Sequence, residues 1–109
     1  MIPDPQTLML PYLKVLADQK EWNFQDLIET LAHEFKVSHD ERLEMIPSGQ
    51  KIFDYHVGTV RTFFKKAGLI ESTRHAHVRI TQHGLDVLST NPEFIDFDFL
   101  WQCAKFFKK

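Results

Sequence analysis

Apolar positions along this chain recur with helical spacing over most of its length and alternate only once. Phe24, Leu27, Ile28, Leu31 and Phe35 follow the i, i+3, i+4, i+7 rule of a half-buried helix. Asn23 stands where its N-cap belongs, with Trp22 and Leu27 at the spacing of a hydrophobic staple. Upstream, Asp4-Pro5 has the form of an N-cap followed by Pro at N1, opening a segment with Leu8, Tyr12, Val15 and Leu16 inward. Pro11 interrupts that segment, so the regular helix begins either at Pro5 or at Pro11. Ser38-His39-Asp40-Glu41 is a capping box for a short helix that stops before Pro47.

The longest helical pattern runs from about Gln50 to Ala67. At 100° per residue, Phe53, Val57, Val60, Phe64 and Ala67 fall within about 40° of one line and form its buried face. The opposite face carries Lys51, Tyr55, Gly58, Thr59, Thr62, Lys65 and Lys66, with Asp54 and Arg61 on a flank. Gly68 is placed to be the C′ residue. Leu69 and Ile70 lead a strand, Ser72 to Ala76 makes a turn, and His77-Val78-Arg79-Ile80 alternates as a second strand should. Thr81 then caps a helix through Leu85, Val87 and Leu88. This order predicts a mainly α fold with a small β-hairpin: a winged helix-turn-helix over residues 1–90, with an additional C-terminal helix over 91–109.

Charge sharpens that picture. Between Lys51 and Arg79 lie six of the 13 Lys/Arg and two of the 15 Asp/Glu, so this segment carries +4 and the remainder −6. A basic helix and hairpin on an acidic body is an electrostatic footprint for a polyanion, and double-stranded DNA is the expected partner. The candidate contacts are Lys51, Tyr55, Gly58, Thr59, Arg61, Thr62, Lys65 and Lys66 on the helix 50–67, and Arg74, His75, His77 and Arg79 on the wing 72–79. Cations there suit phosphates; hydroxyls and the phenol suit base edges. A chain of 109 residues, 43% hydrophobic with ten Phe, is expected to be one packed domain. The single Cys103 excludes an intramolecular disulfide and suits a reducing compartment. With no basic leader and no long apolar run, a cytoplasmic protein without membrane contact is expected.

The run Pro47-Ser48-Gly49-Gln50, then Val57-Gly58, Lys65-Lys66-Ala67-Gly68-Leu69, Ile80-Thr81 and Gly84, resembles the N-terminal domain of Mrr-type restriction endonucleases. The resemblance covers roughly Leu8 to Leu88. It implies a winged-helix DNA-binding module, followed by a separate nuclease domain in a longer parent, in enzymes that cut DNA carrying modified bases. The chain departs from the family pattern at three positions. His56, kept among the candidate DNA contacts, stands where the family usually has Arg; Thr59 replaces a frequent Trp; Ala76 replaces a common wing-tip glycine.

No catalytic residue, metal ligand or cofactor is expected in this chain. Pro3-Asp4 with Glu34-Phe35-Lys36 spells the PD…(D/E)xK nuclease signature, but that chemistry holds Mg²⁺ between acids on adjoining strands, and these lie on helical segments. His75 and His77, with Cys103 the one available thiolate, fall short of the four ligands of a structural zinc site.

The C-terminal segment is apolar on all sides. Asn91-Pro92-Glu93 has the form of N-cap, N1 and N2, after which Phe94, Phe97, Trp101 and Ala104 share one face and Phe99, Cys103 and Phe106 the other. Such a helix is buried in its own domain or paired with another chain. Phe99, Cys103 and Phe106 are the expected interaction face, for a homodimer or a following domain. Two other readings stay open: a winged helix that binds protein instead of DNA, and a small transcriptional regulator.

Overall fold

Capping side chains set where most of the helices begin. The computed structural model describes residues 2–107, with side chains as far as Gln102. Helix α1 (Pro5–Val15) starts on Asp4, whose carboxylate accepts the Thr7 N–H at 2.8 Å. It runs straight through Pro11, so the start at Pro5 holds. A 3-10 turn (Leu16–Asp18) leads to strand β1 (Trp22–Asn23) and helix α2 (Phe24–Glu34). The Asn23 amide oxygen caps α2 through the Gln25 N–H at 2.8 Å. Both halves of the Ser38–Glu41 capping box form at the start of α3 (His39–Leu43). Helix α4 (Ile52–Lys66) follows, then strands β2 (Ile70–Arg74) and β3 (His77–Ile80), α5 (Gln82–Ser89) and α6 (Phe97–Phe107).

The fold is mainly helical with one small antiparallel sheet of three strands in the order β1-β3-β2. Trp22 and Asn23, expected only to staple and cap α2, also pair with Val78 and His77. Two residues carry no periodicity, which is why this third strand is invisible in the sequence. The hairpin register runs from Ile70 opposite Ile80 to Arg74 opposite His77, with an irregularity between Ser72 and Arg74. The turn is therefore shorter than the expected Ser72 to Ala76: only His75 and Ala76 link the strands.

Leu8, Met9, Tyr12, Leu13 and Leu16 of the first helical segment meet Leu27, Ile28 and Leu31 of α2 in the core. Phe53, Val57, Val60, Phe64 and Ala67, the inward line expected for the long helix, are all buried there too. Gly68 ends α4 with φ 78°, and the Leu69 N–H closes back on the Phe64 carbonyl at 3.0 Å.

The last helix departs from expectation. Asn91 has φ 52° and the chain stays non-helical until Asp96, so Asn91-Pro92-Glu93 is not a helix start. Asp96 caps instead, accepting the Phe99 N–H at 2.9 Å, while the Gln6 side chain accepts the Phe97 N–H at 3.0 Å and ties α6 to α1. Ile95 and Leu100 enter the core, with Phe99 partly buried against it. The apolar side left to solvent is Phe97 and Trp101. The side chains of Cys103 and Phe106 lie outside the described residues. Among the described residues, no helix is long and apolar enough to cross a membrane.

Candidate nucleic-acid interface

Because α4 is fixed by its buried line, its other side is presented outward. That side is not convex throughout. An open groove of about 700 Å³ runs between α4 and the first turn of α2, lined by the N-cap residue Lys51 and by Asp54, Tyr55, Gly58, Thr59, Arg61 and Thr62 of α4. Phe24 and Gln25 of α2 form the facing wall. Tyr55 is 48% exposed. The Arg61 guanidinium lies 5.3 Å from the centre of the Phe24 ring, a cation–π arrangement that holds it at the groove. A side chain on Gly58 would begin 3.9 Å from Phe24 Cζ, so the glycine keeps the floor low between the two helices.

Both threonine hydroxyls of the groove are already committed as donors. Thr59 Oγ1 donates to the Tyr55 carbonyl at 3.0 Å and Thr62 Oγ1 to the Gly58 carbonyl at 3.1 Å. Each can still accept. The groove thus offers cations at its ends, acceptors along its length, and aromatic rings at its sides.

The remaining candidates are dispersed. Lys65 is exposed and, among the described residues, has no ion pair. Lys66 leans over Phe63, its ammonium 5.8 Å from the ring centre, toward a different groove. His56 turns away to the N-terminal segment, Nδ1 donating to the Pro3 carbonyl at 2.9 Å. On the hairpin, Arg74 pairs with Glu21 at 3.1 Å and Arg79 with Glu71 at 2.8 Å. His75 is exposed, and its carbonyl lies 2.7 Å from Nδ1 of His77. Six of the candidates therefore meet in one place, with the hairpin turn fastened beside them by the Phe24 N–H donating to the Ala76 carbonyl at 2.8 Å.

Phe24 and Gln25 were not candidates. Periodicity places Phe24 on the core side of α2, and nothing local in the sequence signals that its ring faces Gly58. Arg42, a cation outside the basic segment, is committed elsewhere: it makes two hydrogen bonds to Glu29, at 3.0 and 2.9 Å, joining α3 to α2. The same guanidinium holds the Glu29 carboxyl below its ordinary range.

The letters of the nuclease signature sit at helix ends, not on adjoining strands. Asp4 is a helix cap whose carboxyl is held low, chiefly by the Thr7 backbone N–H, while Glu34 ends α2 and Lys36 lies just beyond it in the left-handed region at φ 54°.

A mainly helical domain with a three-stranded sheet, presenting one anchored helix and a short hairpin side by side, is the class this geometry defines. The chain belongs to the Mrr N-terminal domain family, which it matches over residues 6–90, from α1 to the end of α5. That membership points to an Mrr-type restriction system, and to its N-terminal part rather than its nuclease part. No curated protein and no solved structure matches the chain.

Proposed function

We propose that this domain is a winged helix-turn-helix that binds double-stranded DNA as the target-recognition part of an Mrr-type restriction system. In this reading α2 and α4 are the helix pair, α4 enters the major groove, α3 is an insertion between them, and β2–β3 is the wing. The order α1, β1, α2, α4, β2, β3 with sheet order β1-β3-β2 supports the assignment. The observation that carries the function is the groove face of α4: Lys51 and Arg61, neither in a direct ion pair among the described residues, flank Tyr55, Thr59 and Thr62 on a helix that cannot rotate away.

Lys51, Arg61 and Lys65 neutralise phosphates and set the register. Tyr55, Thr59 and Thr62 meet base edges, the threonines as acceptors from exocyclic amines or through methyl contact. Arg74 and Arg79 join only by exchanging Glu21 and Glu71 for phosphates; exposed ion pairs are worth about 0–1 kcal/mol, so the exchange is cheap. Cleavage in such a system falls to its nuclease part, not to this domain.

Fluorescence-anisotropy titration of labelled duplexes tests this reading. The intact chain should bind at low salt, and a Lys51→Glu, Lys65→Glu variant should lose binding at unchanged thermal stability. Equal binding by the two would remove α4 from the interface.

A further inference from the structure

A second groove, of about 710 Å³, lies between the C-terminal end of α4 and α6. It is lined by Phe63, Lys66, Ala67, Phe97, Asp98, Leu100 and Trp101. Phe63 and Phe97 meet edge to face at 4.9 Å, yet they remain 38% and 37% exposed, and Trp101 is 69% exposed. Three large aromatics left in water at one place cost free energy that a covering surface would recover.

Charge decides what covers it. Lys66 stands on the α4 rim and Asp98 on the α6 rim, and they are not ion-paired with each other or with any other described residue. With one charge of each sign, the lining favours neither a polyanion nor a polycation. A patch with a positive rim, an aromatic floor and a negative rim is complementary to itself under a two-fold rotation. We propose that two copies of this chain pair through this groove, the Trp101 and Phe97 rings of each filling the groove of the other and Lys66 meeting Asp98 across the axis. The proposal is independent of DNA binding, since neither Lys66 nor Asp98 carries the reading given above.

Two-fold pairing has a signature that other occupants lack. Lys66→Glu alone sets Glu against Asp98 twice, and Asp98→Lys alone sets Lys against Lys66 twice. In an equimolar mixture of the two variants both contacts become attractive again. Sedimentation velocity at about 100 µM, above the dissociation constant of an ordinary stable interface, reads the outcome. The wild-type chain should be a dimer, each single reversal a monomer with at least about tenfold weaker association, and the mixture a dimer. Trp101→Ser should also be monomeric. Circular dichroism of the variants checks that these surface changes leave the fold intact. A monomeric wild type overturns the proposal. So does a wild-type dimer whose reversals still dimerise, or whose mixture does not recover, since pairing would then use another face.

Discussion

The Thr81 hydroxyl donates a 2.6 Å hydrogen bond to the carbonyl of Gly68, joining the residue that opens α5 to the residue that closes α4. The same oxygen accepts the Gly84 N–H at 3.1 Å. Gly84 itself lies so close beneath that a Cβ there would overlap the Leu69 carbonyl oxygen and stand 2.6 Å from Ile80 Cγ1. The spaced residues Gly68-Leu69, Ile80-Thr81 and Gly84, by which the sequence resembles its family, are thus one knot that fixes the hairpin against the end of α4.

Gly84→Ala should therefore cost about 3 kcal/mol, because a backbone oxygen cannot move aside for a methyl group. Thr81→Val should cost about 1 kcal/mol through the lost cap, with the Gly68 carbonyl left unpaired in addition. Chemical denaturation measures both. A Gly84→Ala protein as stable as wild type would show that the knot is looser than its geometry.

Ala76 occupies the hairpin tip at φ 60°, a conformation that costs an L-residue about 1–2 kcal/mol. Its carbonyl must stay there to accept the Phe24 N–H. Ala76→Gly should accordingly stabilise the domain by about 1 kcal/mol, raising Tm by about 4 °C. An unchanged or lower Tm would contradict the strain.

Gly58→Ala separates folding from function. The added methyl would sit in ordinary contact with Phe24, 3.9 Å from Cζ, and Ala is about 1 kcal/mol the better helix residue. Tm should rise while DNA affinity falls several-fold, as the groove floor is raised. A rise in Tm with undiminished affinity would take Gly58 out of the interface.

His56→Ala should leave DNA affinity within about twofold of wild type and loosen the N-terminal segment, which the imidazole holds through the Pro3 carbonyl. Anisotropy titration and hydrogen exchange around residues 2–7 read the two effects. A large affinity loss with an undisturbed N-terminus would return His56 to the DNA contacts.

What was legible in the sequence is what depends on neighbours a few residues apart. The inward line of α4, the caps at Asp4, Asn23, Ser38 and Thr81, and the stop at Gly68 are all local and all present. Contacts between distant residues were not legible. His56 meets Pro3 and Arg74 meets Glu21 across 53 residues each, and no pattern in either segment announces the partner. The same blindness hid the pairing of β1 and the Phe24 wall of the groove. In α6 the misreading was chemical: Asn-Pro-Glu has the form of a helix start, but the left-handed Asn91 turns the chain, and the cap that forms is Asp96, whose helix Gln6 also anchors.

The salt dependence of duplex binding tests the central claim most directly, because it counts phosphates. With Arg74 and Arg79 paired and Lys66 turned to the second groove, three of the six cations between Lys51 and Arg79 remain: Lys51, Arg61 and Lys65. They predict that log K falls against log salt with a slope near −2.7, at about −0.9 per phosphate neutralised. A slope near −4.5 would mean that the hairpin arginines leave their carboxylates for DNA, adding the wing to the interface. No binding at low salt, or a slope near zero, would contradict DNA recognition by this domain.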